Sequence, residues 1–296
     1  MIKMTNKRID WHVHSRVSDG FFSPVDIVRI AKEFEIDISL TDHDTIDGIA
    51  EFLTAAHELE YPTITPGLEL SLNDGGTNVH LLCYGVDHVS EELLTTLTNT
   101  QNQRTTLVEQ MLKRAQKAGR WQDINIDQLR IQSHAYISKI HVALELRNKG
   151  YPGCDSVEDA LKVVNGEYMY VAEPLGLDIT SGINLLREAG SIISLPHVHE
   201  LKKEEAEEER FIAWLKDNGL TALEAISSKY DDAQTVRYIS LARKFGLKIT
   251  VGSDFHWEQS TPGRKIGVDL EYHLNKRILR ALGLKKEEIY QDLVVK

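Results

Sequence analysis

The sequence gathers imidazoles and carboxylates into six short clusters. The first lies in DWHVHSRVSDG, where His12 and His14 stand two apart at the end of a strand-like run. Alternate residues of a strand project to the same side. A strand would therefore aim both rings together, as a pair able to hold one divalent metal. The second is TDHD, where Asp42, His43 and Asp44 follow an apolar stretch ending at Thr41. Three titratable side chains in a row cannot be core packing. The ordinary alternative is a polar turn in which Asp44 caps the next helix. Glu69 stands between leucines in PGLELS, after a Pro-Gly turn, and His80 leads the apolar run NVHLLCYG. SLPHVHE offers His197 and His199, and GSDFHWE offers Asp254 and His256. Each of these alone suits a surface or hydrogen-bonded core residue. Their common position, beside short apolar runs, gives them weight.

Those runs are the predicted strands: Arg8 to Val13, Ile38 to Thr41, Thr63 to Thr65, Val79 to Cys83, Ser191 to Leu195, Ala222 to Ile226 and Lys248 to Val251. Helical patterns separate several of them, which argues for a parallel, buried sheet. Number and length favour closure into a β/α barrel. Ser23, Pro24 and Asp26 form a helix start, and Gly246 suits the residue just past a helix end. The alternation breaks between about Gln101 and Glu173, where three helical stretches follow one another. This predicts barrel segments at 1–100 and 174–296, with a helical insert at 101–173 that could cap the barrel mouth. In such barrels the C-terminal strand ends meet at one face. Carboxylates collected there would repel one another, and divalent cations relieve this most simply. Mixed N and O donors favour Zn, Mn or Fe over Ca or Mg, and the ligand count exceeds what one ion needs, so two or three ions are expected.

Composition bounds the partners. The 296-residue chain has a net charge of -11, which disfavours broad phosphate contacts to duplex DNA. A small phosphorylated ligand remains compatible, because bound cations supply positive charge locally. No apolar stretch has signal-peptide or membrane-span length, so a cytoplasmic protein without membrane partners is expected. Cys83 and Cys154 suggest neither a disulfide framework nor a CxxC site. The run KKEEAEEER reads as a solvated helix face or loop.

In order, HxH with SDG, TDHD, PGxE, a strand His, a late His and GSDFH closely resemble the PHP (polymerase and histidinol phosphatase) family of metal-dependent phosphoesterases. The resemblance spans nearly the whole chain. It is nearest to bacterial enzymes that remove the 3′-phosphate of nucleoside 3′,5′-bisphosphates, some of which degrade short RNA from the 5′ end. It implies a distorted (β/α)7 barrel with a small helical insert, and a trinuclear site. His12, His14, Glu69 and Asp254 would hold one ion. A second would share Glu69 and take His80 and His197, and a third would take Asp19, His43 and His256. The family's late His usually precedes Pro; here the order is Pro196-His197-Val198, and His197 is favoured over His199 by its offset from the strand. Relatives tend to carry Arg-Pro-His where this chain has Lys139-Ile140-His141, so Lys139 and His141 would contact a substrate phosphate. Lysine there loses bidentate geometry. By position, Ser227 to Tyr230 and Arg264 are candidates for a second phosphate contact. Asp42 and Asp44 could orient ligands. Histidinol-phosphate phosphatase activity, 5′→3′ exonuclease activity on short RNA, and a non-catalytic metal- or nucleotide-binding role are the alternatives.

Overall fold

The computed structural model describes residues 8–75, 77–87, 89–166, 176–257 and 266–294. Among the described residues, nine strands form one curved sheet: β1 (Arg8–Val13), β2 (Ile36–Leu40), β3 (Ile64–Asp74), β4 (Thr77–Tyr84), β5 (Leu177–Asp178), β6 (Ile192–Leu195), β7 (Ala222–Ser227), β8 (Lys248–Gly252) and β9 (Val268–Asp269). The order is β8-β7-β6-β4-β3-β2-β1-β9, with β5 attached to β3. The ends nearly close into a barrel through the segment after β8. His14 N–H donates to Phe255 O at 2.9 Å, and Phe255 N–H donates to His12 O at 3.2 Å. The molecule is thus the mixed α/β barrel expected.

Helices cover the outside: α1 (Pro24–Glu33), α2 (Ile49–Glu58), α3 (Glu91–Lys117), α4 (Ile126–Gln132), α5 (Lys139–Asn148), α6 (Val157–Gly166), α7 (Ile179–Ala189), α8 (Glu205–Asp217) and α9 (Asp232–Phe245), followed by three short helices at Leu270–His273, Lys276–Leu282 and Lys286–Asp292. Local chemistry accounts for several boundaries. Ser23 Oγ accepts from Asp26 N–H at 3.1 Å and Pro24 opens α1, as expected. Gly246, with φ 65°, ends α9 in the left-handed conformation that glycine adopts without a Cβ clash. The acidic run opens α8, but Glu208 is buried there and paired with Arg237 at 2.8 Å, so that face is not wholly solvated.

Two expectations need correction. The sheet is not parallel throughout, because β4 runs antiparallel to both β3 and β6. Pro66 and Gly67, expected as a turn, lie inside an eleven-residue β3. Leu68, Leu70 and Leu72 alternate with Glu69 and Ser71 along it, the period-two signature of a strand. Asp74 then pairs with Thr77, a tight hairpin with no room for the crossover that parallel pairing needs. The second correction concerns Asp44. It does not cap the next helix, since Gly48 stands at the start of α2.

Three apolar clusters organise the interior. The largest fills the barrel and its contacts with α7, α8 and α9, around Leu70, Leu82, Ile183, Leu223 and Ile249. Another seats α1 and α2 through Ile27, Val28 and Phe52. The third lies within the helical stretch α3–α6, around Leu112, Trp121, Leu146 and Val164. Cys83 and Cys154 are both buried and free. No helix among the described residues is long and apolar enough to cross a membrane.

Candidate metal centre

Four strand ends (β1, β2 with His43, β6 and β8), the middle of β3 and the antiparallel β4 deliver the cluster. His12 lies in β1 and His14 just beyond it, both fully buried, with ring centroids 5.1 Å apart. Glu69, in mid-β3, is fully buried. His80 reaches the same mouth because β4 is antiparallel, so its first half lies where neighbouring strands end; it pairs with Ser71. His197 follows β6, and Asp254 and His256 follow β8.

Glu69 is the hub. Its Oε2 lies 3.1 Å from His12 Nε2, 3.1 Å from His14 Nε2 and 3.2 Å from His43 Nδ1. Its Oε1 lies 3.1 Å from His80 Nδ1 and 2.9 Å from His197 Nε2. Asp254 Oδ1 stands 3.1 Å from His14 Nε2 and 3.4 Å from His12 Nε2. Asp19 Oδ1 is 3.3 Å from His256 Nε2 and 3.7 Å from His14 Nδ1. Among the described residues, donor atoms within 4.8 Å of one another fall into three overlapping groups: His12, His14, Glu69 and Asp254; His14, Asp19, His43 and His256; and His43, Glu69 and His80. His197 adjoins the last group, 3.4 Å from His80 Nδ1. His14 and His43 therefore each face two groups. His199 stands apart, with its ring 5.3 Å from that of Tyr230.

These donors fit divalent cations. Ligands about 2.0–2.2 Å from one ion lie roughly 2.8–3.6 Å from each other, depending on geometry. The four atoms around Glu69 Oε2 and Asp254 Oδ1 show that spacing. His14 Nδ1 and Nε2 and His43 Nδ1 are buried without a hydrogen-bond partner of proper geometry, although carboxylate oxygens stand close by. Each of these nitrogens lies off an N–H···O line yet within reach of other donor atoms, the placement of a metal ligand. Electrostatics agree. Burial favours neutral imidazole, yet Asp254 and Glu69 push His14 up to about 10, and Glu69, Asp254 and Glu224 hold His12 well above its usual range. Burial would raise Glu69, but the rings of His43, His12 and His80 hold its carboxyl well below the usual range. For Asp254, Lys229, His256 and His12 likewise outweigh burial. Such a centre demands positive charge, and a cation supplies it in place of protons.

Supporting groups fix these positions. Glu224 Oε2 accepts from His12 Nδ1 at 2.9 Å, and its Oε1 accepts from His197 N–H at 3.2 Å. This orientation leaves His12 Nε2 facing the cluster. Asp10 accepts from Ser253 N–H and Oγ–H and from Gly267 N–H, bracing the turn that carries Asp254; burial pushes its carboxyl up to about 6. Asp42 accepts from Ser15 N–H at 2.7 Å and from the hydroxyls of Ser15 and Ser18, ordering the loop before Asp19. Asp44 binds Ser71 N–H at 2.7 Å and Arg104 Nε at 2.7 Å, so helix α3 is tied to the loop bearing His43. His197 and Asp254 take φ of 31° and 54°, a left-handed backbone that non-glycine residues hold only under constraint. Gly252 admits no side chain, since a Cβ there would meet His12 Cβ at 2.4 Å and Glu224 Oε2 at 2.5 Å.

Sequence reasoning missed Glu224, Asp10 and Arg104. The first two carried a signal, a lone acid inside an apolar strand; Arg104, one charge among many on a polar helix, carried none. Of the second-phosphate candidates, Lys229 contacts the Asp254 carboxylate and Tyr230 is buried, receiving Val198 N–H at 3.0 Å. Arg264 lies outside the described residues, as does the expected insert boundary near 173.

A cavity of about 810 Å³ opens beside the cluster, with Asp19, His43, His80, His197 and His256 on one wall. Lys139, at the start of α5, faces them with Arg104 and Arg114. Burial and the Arg104 charge lower the Lys139 ammonium, partly offset by Asp19. His141 turns back on its own helix start, where Ser138 N–H donates to its Nδ1 at 3.0 Å.

The chain is similar to known proteins in sequence and in fold. The PHP domain family matches residues 10–171, more than half of the chain. A 3′,5′-nucleoside bisphosphate phosphatase of Chromobacterium violaceum is 26% identical over 274 residues, covering 88% of this chain and 90% of that protein. A 5′-3′ exoribonuclease of Haemophilus influenzae is 27% identical over 252 residues, covering 85% and 90%. Among solved structures, an amidohydrolase of Chromobacterium violaceum with bound sulfate and no metal shares the fold, with TM-score 0.75, 24% identity and 97% of each chain covered. A barrel mouth that concentrates imidazoles and carboxylates around Glu69 is what that family match leads one to expect, and the chain belongs to the PHP domain family of metal-dependent phosphoesterases.

Proposed function

We propose that the chain hydrolyses the 3′-phosphate of nucleoside 3′,5′-bisphosphates. The observation that carries this reading is that the partly buried cations Lys139 and Arg104 line one cavity together with the cluster residues Asp19, His43, His80, His197 and His256. Such a site suits a phosphate monoester in an otherwise acidic protein. The relative named as a nucleoside bisphosphate phosphatase supports the substrate class.

The proposed ligands are His12, His14, Asp19, His43, Glu69, His80, His197, Asp254 and His256. Divalent cations bound there supply an acidified water and positive charge against the phosphoryl oxygens. The chain's own groups do the rest. Glu224 keeps the His12 proton on Nδ1, so that Nε2 presents a lone pair. Lys139 places a charge on the far side of the cavity, where it binds the phosphate as a point charge rather than a fork. His141 accepts a backbone N–H at Nδ1, so its ring proton sits on Nε2, the atom that would donate to a phosphate oxygen, although His141 is not among the residues lining the cavity. Residues of α3, α5 and α6 line the cavity, and in this reading they limit water access to it, which strengthens these interactions. The exoribonuclease relatives, and a cavity near the upper end of the roughly 300–1,000 Å³ range for small-ligand clefts, support short 5′-phosphorylated RNA as a second substrate.

The test is phosphate release, with Mn, from nucleoside 3′,5′-bisphosphates, histidinol phosphate and a 5′-phosphorylated oligoribonucleotide. The expected result is the highest kcat/KM on the bisphosphates, with Lys139→Ala raising KM more than it lowers kcat. Turnover of histidinol phosphate alone would overturn the substrate assignment.

A further inference from the structure

A second cavity, of about 310 Å³, lies between helix α6 and the loops after β7 and β8. It meets the larger cavity along Trp257, His256, Asn165 and Leu161, which line both. Asp254 and His256 also border it, so any group held there lies beside the reacting centre. Its volume is at the small end of ligand clefts, enough for one planar ring system but not for a chain of nucleotides.

The charges around this cavity are already matched. Lys229 contacts the Asp254 carboxylate and lies 3.7 Å from Glu200. Lys162 pairs with Asp159 at 2.8 Å, and Glu158 contributes a negative charge to the wall. The cavity therefore offers little to a second phosphate. It offers more to a flat, neutral, hydrogen-bonding group. Trp257 supplies an aromatic surface, held by its Nε1–H donating to Glu158 Oε1 at 3.1 Å. Its ring stands nearly perpendicular to His256, with centroids 5.6 Å apart, so the imidazole does not stack on the indole face. Ser228 Oγ is buried at the cavity with no hydrogen-bond partner among the described residues. The Asn165 amide oxygen accepts from Lys139 Nζ at 3.3 Å, which sets the amide between the proposed phosphate lysine and this cavity.

We infer that the smaller cavity is a nucleobase subsite, with Trp257 as the stacking surface and Ser228 and Asn165 reading the base edge. The inference rests on the nucleotide reading above and extends it to the part of the substrate remote from the scissile bond. Trp257 bridges barrel and α6, so a stacked base also holds the helical cover against the barrel mouth. Stacking is tolerant of base identity, because every base has a π face. The subsite therefore separates nucleotides from base-less phosphates more strongly than it separates one base from another.

The experiment compares KM for adenosine 3′,5′-bisphosphate with KM for its base-less ribose analogue, in the wild type and in Trp257→Leu and Trp257→Phe. The wild type is expected to bind the nucleotide about ten-fold more tightly than the analogue. Trp257→Leu should bring that ratio near one, and Trp257→Phe should restore most of it. The Phe variant loses the Glu158 hydrogen bond but keeps a ring, so its recovery assigns the effect to stacking rather than to helix anchoring. A nucleotide-to-analogue ratio unchanged in a folded Trp257→Leu protein overturns the subsite while leaving the phosphatase reading intact. Wild-type protein that releases no phosphate from any nucleoside bisphosphate overturns that reading and the subsite together.

Discussion

Replacing Glu224 by Gln tests how the centre is oriented without touching a proposed ligand atom. Glu224 offers two oxygens to two buried donors, His12 Nδ1–H at 2.9 Å and His197 N–H at 3.2 Å. Glutamine keeps one oxygen and turns an NH₂ group toward the other donor, and it removes the negative charge that polarises His12. Losing a hydrogen bond to a charged group costs about 1.5–3 kcal/mol. Expressed as binding, that is about 10- to 150-fold. It agrees with the roughly 10–100-fold loss typical when the group that orients a metal-bound histidine is removed. The assay is competition for Mn between the protein and a chromophoric chelator, with circular dichroism confirming the fold. The dissociation constant of the tightest ion should rise by about 10–100-fold. An unchanged constant in a folded Glu224→Gln protein refutes the claim that this carboxylate sets the His12 lone pair.

Other outcomes follow from the same geometry. Arg104→Ala leaves the Asp44 carboxylate buried and fully unexposed, without its partner at 2.7 Å. It should lower unfolding free energy by about 3 kcal/mol, read from the urea midpoint, with Arg104→Lys recovering part of the loss; a variant as stable as wild type contradicts the tie between α3 and the His43 loop. In metal-free protein, His14 holds its proton up to about pH 10, above its ordinary value near 6.5. The stability it contributes is then full below about pH 6.5 and lost as pH rises through 10. A cation must displace that proton, so Mn affinity should tighten from pH 6.5 to 8.5 while the melting temperature of chelator-treated protein falls. An affinity independent of pH excludes His14 from the ligand set.

How far the sequence discloses such a site depends on distance along the chain. His12, His14, Asp254 and His256 stand next to apolar strands, and strand ends in a barrel converge, so their meeting was readable from local pattern. The direction of β4 was harder, since it turns on whether Pro66-Gly67 is a turn or strand. The alternation of Leu68, Leu70 and Leu72 carried that information, and the proline obscured it. The Arg104–Asp44 pair was not legible at all. Its partners lie 60 positions apart, and nothing local in α3 marks one arginine as the partner of a buried carboxylate. The left-handed backbone at His197 and Asp254 is equally hidden, because tertiary contacts, not side-chain preference, impose it.

Metal analysis of the purified, Mn-reconstituted protein, run beside the His12→Ala/His14→Ala variant, bears most directly on the centre built around Glu69. The wild type should retain two or three divalent ions per chain after desalting and release phosphate only when they are present, and the folded variant should lose both ions and turnover. A wild type that carries less than one ion per chain, or that turns over undiminished in excess chelator, would contradict it.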